Sequence, residues 1–169
     1  MNAAAALVSA QSLEQYLHRV MPLSRAMQVA VLAVSDERAT LHAPLAPNIN
    51  HRSTVFGGSA STLATLAAWS LLHCRLQGRL PAASLVLQNC SMNYLRPMTT
   101  DFRAEARLAP EAHWDLFVRT LERRGRARIA ATALLWCVDE ETARFTGEFV
   151  ALLEPVQAPG SSRVVPLVR

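Results

Sequence analysis

Between residues 57 and 73, apolar side chains recur on every side of a helical wheel, and small alanines are interleaved with bulky leucines and a tryptophan. A helix that is apolar all round has to be buried all round. The pattern therefore predicts a central helix enclosed by the rest of the domain. The pair Gly57-Gly58 stands at the amino end of this helix, after a polar loop, and is expected to lie at a functional surface.

The sequence on both sides of this run alternates between apolar and polar residues with the period of β-strands. Six strands are predicted, at 26–35, 38–45, 84–97, 102–108, 126–138 and 144–153. In the third of these strands, Val86, Cys90 and Met92 are expected to share one face. An amphipathic helix capped by Ser12 is predicted before the first strand. A shorter helix, ended by Gly125, is predicted between the fourth and fifth strands.

The order of these elements defines the fold class. An antiparallel sheet with a buried helix and two lesser helices belongs to the mixed α+β class. The chain has 169 residues, of which 51% are apolar and 18% charged, as expected for one globular domain. We expect a single domain over residues 11–155, between a flexible lead-in at 1–10 and a flexible tail at 156–169.

Charge and cysteine usage exclude several classes of function. The formal net charge is +4, but the arginine cluster at 123–128 has neither interleaved aromatics nor a nucleic-acid-binding motif, so no nucleic-acid partner is expected. Three widely spaced cysteines without a CxxC pair predict free thiols in a reducing compartment, and no metal site. Without a basic secretory segment or a sufficiently apolar membrane span, the sequence favours a cytoplasmic protein with no membrane partner.

The glycine pair at the start of the central helix has two interpretations. Amides in the first turn of a helix lack intrahelical acceptors and carry partial positive charge. They could therefore stabilise the oxyanion that forms when a carbonyl is attacked. Alternatively, Gly57 and Gly58 merely permit a tight turn and close packing. The residues alone leave both interpretations open.

Three segments carry a resemblance to a known family, namely NHRSTVFGGS at 50–59, NYLRP at 93–97 and RTLERRGRARI at 119–129. The chain resembles hotdog-fold proteins of the thioesterase superfamily, most closely the thioesterase family that also occurs fused behind acetyltransferase domains. The resemblance extends from about residue 12 to residue 154. It implies a sheet wrapped around a long helix, dimers with paired sheets, and an acyl-thioester site at the dimer interface. It also favours the oxyanion role for the two glycines.

Two positions depart from the pattern of that family. Related thioesterases usually have histidine directly before the glycine pair, where this chain has Phe56. They often carry an acidic residue seven places after the second glycine, where this chain has Thr65. No aspartate or glutamate occurs between Glu37 and Asp101. A general base for water must therefore be neutral, be supplied from elsewhere, or be absent.

The resemblance and the residue types together define a candidate site. The predicted catalytic residues are Asn50, Gly57, Gly58 and Thr65, and the predicted substrate-binding residues are His51, Phe56, Ser59, Asn89, Ser91 and Arg96. Most of the polar side chains also have a structural alternative. Asn50 could cap a turn, Ser59 could cap the helix, and Thr65 could bond back to its own helix. His51 could be an exposed loop residue, and Asn89 and Ser91 could bond across a dimer seam. Arg96 and the 123–128 cluster are candidate contacts for phosphate groups.

The sequence thus predicts an acyl thioesterase that hydrolyses an acyl-CoA or acyl-carrier-protein thioester. The expected assembly is a homodimer, with pairing of dimers into tetramers as a further option. A non-catalytic acyl-thioester-binding or partner module on the same fold is the alternative, because the family carboxylate is missing. No cofactor and no metal are expected.

Overall fold

The computed structural model describes residues 9–153, so the predicted lead-in up to residue 8 and the predicted tail at 156–169 lie outside the described range. Within that range the predicted helices and strands follow one another in the predicted order, and one short helix that was not predicted, at Pro22–Ala26, is added. They are α1 (Ala10–Val20), α2 (Pro22–Ala26), β1 (Ala30–Val34), β2 (Ala39–Ala43), α3 (Gly57–Gln77), β3 (Ala83–Tyr94), β4 (Phe102–Leu108), α4 (Trp114–Arg124), β5 (Arg126–Cys137) and β6 (Glu140–Leu153). One turn of 3-10 helix, Ala46–Asn48, lies between β2 and α3.

The central helix predicted by the apolar run is α3. Ten of its 21 residues are buried, and they are distributed around the helix instead of forming one stripe. The small side chains of Ala60, Ala64 and Ala67 are fully enclosed and let the sheet approach closely, while leucines fill the wider gaps. Among residues 9–153, no helix combines the length and the apolar character needed to cross a bilayer.

One six-stranded sheet, in the order β1-β2-β4-β5-β6-β3, wraps around α3, which contacts every strand. Each neighbouring pair of strands is antiparallel. The burial of side chains alternates along β5, where Ala131 and Leu135 point inward and are buried, whereas Arg128 and Leu134 point outward and are exposed. This arrangement confirms the predicted mixed α+β class and the sheet-around-helix architecture.

At the edge of the sheet, β3 carries a β-bulge at Gln88, where its pairing register with β6 shifts. The extra residue reverses the alternation of side chains along the rest of the strand. Val86 therefore points to the outer face of the sheet, whereas Cys90 and Met92 point to the face that packs on α3. The prediction that these three residues share a face is wrong, because an alternation pattern gives no sign of a bulge.

The element boundaries follow local capping chemistry. Ser9, and not Ser12 as predicted, caps α1, because its hydroxyl accepts a hydrogen bond from the Ser12 amide. Pro22 ends α1 but also begins α2, at a position where the missing N–H costs nothing. As a result β1 begins at Ala30, later than predicted. Gly125 ends α4 in the left-handed region, with φ at 66°, which confirms its predicted capping role.

An aromatic stack joins α1 to α3. The centroid of the His73 ring lies 4.4 Å from that of Trp69 and 5.1 Å from that of Tyr16. The indole N–H of Trp69 in turn donates to the carbonyl of Leu85 at 3.0 Å, which ties the stack to β3. Burial in this stack lowers the pKa of His73, because the charged imidazolium loses its contact with water.

We expect His73 to make stability depend on pH. In the folded protein this imidazole takes up its proton at a lower pH than in the unfolded chain, which protonates it near the ordinary histidine pKa of about 6.5. The unfolded state therefore binds more protons in acid, so the free energy of unfolding should be highest above that value and decline as the pH falls below it. Thermal melts from about pH 7.5 to about pH 5 should show the decline, and His73→Phe should flatten it.

His51→Gln, a change at an exposed histidine in the loop before α3, serves as the control and should keep the slope of the unchanged protein. The same slope in His73→Phe would contradict the assignment of the pH dependence to His73.

Candidate functional site

The loop between β2 and α3 is anchored by Asn48, whose side chain is buried. Its amide nitrogen donates to the carbonyl of Met27 at 3.0 Å and to that of Pro44 at 2.8 Å. Its backbone carbonyl accepts the amide of Phe56 at 2.7 Å. Asn48 thus fixes both ends of the loop that leads to the glycine pair. Sequence reasoning missed this residue, because its spacing from Asn50 gives no sign of which asparagine is buried.

Asn50 closes the turn that precedes α3. Its side-chain oxygen accepts from the backbone amides of Arg52 at 2.8 Å and Thr54 at 3.3 Å. Its side-chain nitrogen donates to the Thr54 hydroxyl at 2.9 Å and to the Val55 carbonyl at 3.3 Å. All these contacts are those of a turn cap. The catalytic role of Asn50 stays a prediction, and in this conformation the side chain acts by shaping the loop.

The first turn of α3 offers three backbone amides for a ligand. Phe56 is the N-cap and supplies no side-chain acceptor, and the first intrahelical hydrogen bond runs from the Ala60 amide to the Phe56 carbonyl at 3.0 Å. Within the described part of the chain, the amides of Gly57, Gly58 and Ser59 have no acceptor. Ser59 lies in the first turn and does not cap the helix. These donors, together with the positive end of the helix dipole, are therefore available to a ligand at the start of α3.

Two aromatic side chains occupy the space that side chains at the two glycines would take. The Tyr94 hydroxyl donates to the carbonyl of Gly57 at 2.7 Å, and a Cβ on Gly57 would lie 3.3 Å from that hydroxyl oxygen. A Cβ on Gly58 would overlap the ring of Phe56. With the two rings in these positions there is no room for a side chain at position 58 and little at position 57, and the amides of both glycines stay available. Tyr94 was not predicted as a site residue, although the NYLRP segment was the signal that pointed to it.

Beside these amides, a cleft of about 390 Å³ lies between the loop before α3 and the segment after β3. Its lining is mostly apolar and consists of Thr54, Val55, Gly57, Ala60, Tyr94, Leu95, Arg96, Pro97 and Met98. At its rim, the guanidinium of Arg96 bonds the carboxylate of Glu140 at 3.2 Å, and both side chains are exposed. The cleft can hold the apolar part of a ligand while a polar or anionic part stays near Arg96 and water.

Thr65 is half-buried on α3, two turns beyond the glycine pair. Seven residues of α-helix rise roughly 10 Å, so its hydroxyl does not reach a carbonyl held at the Gly58 amide of the same chain. The hydroxyls of Ser61 and Thr62, on the same side of the helix, both donate to the Gly58 carbonyl, at 3.0 and 2.8 Å. Thr65 could therefore contact only a substrate that is held by a neighbouring copy of the chain, and its catalytic role stays a prediction.

The structure does not bring the two predicted strand residues to the glycine pair. Asn89 and Ser91 are exposed on the outer face of β3, opposite Glu148 and Thr146 of β6. The sheet separates both side chains from α3 and from the cleft of the same chain, and their predicted role in substrate binding stays a prediction. Their role in a dimer seam stays a prediction. His51 is exposed in the loop before α3.

The arginines considered as phosphate contacts fall into two groups. Arg96 borders the cleft. The cluster at 123–128 lies at the other end of the sheet, because Arg126 aligns through β6 with the start of β3, whereas the cleft adjoins the end of β3. Only Arg96 is therefore placed to contact a ligand that is held by the amides of α3 in the same chain.

Comparison with known proteins agrees with this architecture. A model of the family described as "Putative thioesterase (yiiD_Cterm)" matches residues 10–153. The solved structure of a "putative thioesterase" from Shewanella oneidensis is 30% identical, with a TM-score of 0.74 over 85% of this chain and 96% of that one. A protein of unknown function from Chlorobaculum tepidum is 27% identical, with a TM-score of 0.80 over 88% of this chain and 99% of that one.

A "probable thioesterase" from Pseudomonas aeruginosa is 20% identical and shares the fold, with a TM-score of 0.70 over 84% of this chain and 95% of that one. The family match spans nearly all the described residues, and the antiparallel sheet around one long helix is the hotdog fold of these structures. The resemblance inferred from the three sequence segments is thereby confirmed. This chain belongs to the "Putative thioesterase (yiiD_Cterm)" family.

Proposed function

We propose that this protein hydrolyses an acyl thioester of coenzyme A or of an acyl carrier protein. The proposal rests on the three amides at residues 57–59, which have no acceptor within residues 9–153 and lie beside an apolar cleft, in a chain of a thioesterase family. In the proposed complex, the substrate carbonyl oxygen accepts hydrogen bonds from the Gly57 and Gly58 amides. The cleft holds apolar parts of the substrate, and Arg96 contacts its anionic part.

The proposed reaction uses water as the nucleophile. The water oxygen bonds to the thioester carbon, and the carbonyl electron pair moves onto oxygen, where the amides stabilise the negative charge. Collapse of this intermediate breaks the carbon–sulfur bond, the sulfur takes up a proton, and the products are a carboxylic acid and a thiol. No aspartate, glutamate or histidine lines the described cleft, so a neighbouring copy or the solvent accepts the proton of the water.

The proposal includes a homodimer joined along β3. This strand is at the edge of the sheet, and the side chains of Asn89, Cys90 and Ser91 are exposed. An edge strand with unpaired backbone groups is a template for pairing with another chain. Two copies related by a two-fold axis would continue the sheet, and each Thr65 would then face the helix start of the other copy. Pairing of dimers into tetramers is a further option.

Cysteine labelling provides a prediction for this dimer. Cys90 is exposed in the single chain, whereas Cys137 is buried. Burial, together with the nearby charge of Asp36, raises the pKa of Cys74 to about 11, so little of its thiolate forms at neutral pH. An aromatic disulfide reagent should therefore label Cys90 first in dilute protein, and the labelling rate should fall as the protein concentration rises and β3 pairs.

Cys90→Ser should abolish the fast phase of that labelling and identify the residue. A labelling rate that is independent of concentration, across a range in which sedimentation shows association, would exclude β3 from the interface.

Thr65→Asp restores a carboxylate where relatives often have one, and we expect it to raise turnover severalfold, because the new side chain can accept the proton of the attacking water. Steady-state thiol release is the measurement. Ser61→Asp, one turn earlier on the same side of α3, is the control and should give no increase. Equal rates in Thr65→Asp and the unchanged protein would show that position 65 does not face the reacting water.

Release of free thiol from a panel of acyl-CoA and acyl-carrier-protein thioesters tests the proposed function. The panel should contain acyl groups of several lengths, and the protein should carry Cys90→Ser so that its own exposed thiol does not react with the detection reagent. Hydrolysis of at least one substrate above the rate without protein is the expected result. No release from any member of the panel would refute the hydrolase function.

A non-catalytic acyl-thioester-binding module is the second candidate, favoured by the lack of a carboxylate in the cleft. Native mass spectrometry distinguishes the two functions. A bound acyl-CoA that survives incubation would support the binding module, whereas conversion to free coenzyme A would support the hydrolase. The proposal places the protein in the cytoplasm, with no nucleic-acid or membrane partner, since its three free cysteines suit a reducing compartment.

A further inference from the structure

Tyr94 ties the end of β3 to the start of α3. Its hydroxyl donates a 2.7 Å hydrogen bond to the carbonyl of Gly57. Its backbone is held on both sides, because Tyr94 pairs with Ala143 of β6 and the following amide, of Leu95, donates to the carbonyl of Thr142 at 2.8 Å. The sheet therefore holds the phenol against the first peptide group of the helix.

The carbonyl that Tyr94 contacts belongs to the same peptide group as the N–H of Gly58. A peptide group is delocalised, so a hydrogen bond donated to its oxygen draws electron density from the nitrogen and makes the N–H a stronger donor. The Gly58 amide has no acceptor among the described residues. The phenol thus strengthens a donor that is free to bind a ligand.

We propose that Tyr94 is a positioning residue for thioester hydrolysis, because its hydroxyl polarises the Gly57-Gly58 peptide and makes the Gly58 amide a stronger donor to the thioester carbonyl oxygen. The inference rests on the proposed function, since the oxyanion is the group that this amide stabilises. It also explains why position 57 has no side chain. A Cβ there would lie 3.3 Å from the Tyr94 hydroxyl oxygen and 3.4 Å from the ring carbon that bears it, and would press the phenol away.

Tyr94→Phe tests the inference, because it removes the hydroxyl and keeps the ring. With hexanoyl-CoA, kcat should fall about tenfold, less than the roughly 10²–10³-fold that losing a whole oxyanion donor costs, and KM should stay within about twofold. Tyr16→Phe makes the same change at the other tyrosine, in the α1 stack, and should keep the kcat of the unchanged protein. An unchanged kcat in Tyr94→Phe, or a higher KM alone, would overturn the inference.

The amide resonance of Gly58 separates this inference from the proposed function. In ¹H–¹⁵N spectra of the free protein, Tyr94→Phe should move the Gly58 amide proton upfield, since the peptide loses polarisation while the ring current stays. The Gly78 amide, at the other end of α3, should not move. If the Gly58 resonance shifts but the protein hydrolyses no thioester, the hydrolase function is refuted, whereas the polarisation of the Gly58 amide by Tyr94 is supported. An unmoved Gly58 resonance would refute the role of Tyr94, whatever the rate of hydrolysis.

Discussion

Gly58→Val is expected to reduce thiol release by about 10²-fold or more, which is the loss that follows removal of one oxyanion donor. The valine Cβ would overlap the present position of the Phe56 ring, so the ring has to leave and the valine methyls take its place beside the amide. A thioester carbonyl could then no longer approach the Gly58 N–H closely. Because Phe56 is 57% exposed, its ring can turn into solvent at little cost to folding.

The control for this prediction is Gly78→Val, which puts the same side chain at the other end of α3. Gly78 has helical backbone angles, with φ at −70° and ψ at −15°, so valine is tolerated there. Thermal melts should show both variants folded, with only Gly58→Val inactive. Full activity in a folded Gly58→Val would show that the carbonyl is held elsewhere.

Gly147→Ala is expected to cause the largest loss of stability. Gly147 lies on the inner face of β6 between Phe145 and Phe149, and both rings are fully buried. A Cβ at this position would lie 2.7 Å from the Phe145 ring and 2.9 Å from the Phe149 ring. Because both rings are enclosed in the core, we expect a loss of about 3 kcal/mol, near the upper end of overpacking costs. For a domain of this size the melting temperature should fall by about 6–12 °C.

Gly78→Ala is the matched control for this change, because it adds the same methyl group at a helix end with helical backbone angles. We expect it to be neutral or to raise stability by about 0.4–1 kcal/mol, since alanine restricts the unfolded chain. Differential scanning calorimetry of the two variants gives the comparison. Equal melting temperatures for Gly147→Ala and the unchanged protein would mean that the space between the two rings is larger than the structure shows.

The buried helix was the element that sequence patterns predicted most completely. An apolar residue on every side of a helix admits only a fully enclosed position, and α3 occupies that position. Strands with a clean alternation, such as β4 and β5, were also predicted within a few residues. These elements depend on local periodicity, which a sequence displays directly.

The bulge in β3 could not be predicted in this way. A bulge adds one residue to an ordinary strand pattern, and only the pairing with β6 shows where the register shifts. That shift puts Asn89 and Ser91 on the outer face and Cys90 on the inner face. The sequence pattern therefore put Val86 on the wrong face, although the strand itself was recognised.

The candidate site was predicted in part. The glycine pair and its amides follow from the rule that the first turn of a helix lacks acceptors. The contacts of Tyr94 and Asn48 are non-local, since each side chain binds backbone groups from distant parts of the sequence. No spacing rule reveals such contacts, because they depend on the three-dimensional structure.

Binding of a thioester carbonyl at the start of α3 can be observed in ¹H–¹⁵N spectra. The ligand is a ketone analogue of hexanoyl-CoA, in which a methylene group replaces the sulfur, so that the carbonyl remains and hydrolysis does not occur. On titration, the amide protons of Gly57 and Gly58 should move downfield, while those of Gly78 and Gly125 should stay in place. Saturable shifts elsewhere, with the Gly57 and Gly58 resonances unmoved, would contradict binding of the carbonyl at the start of α3.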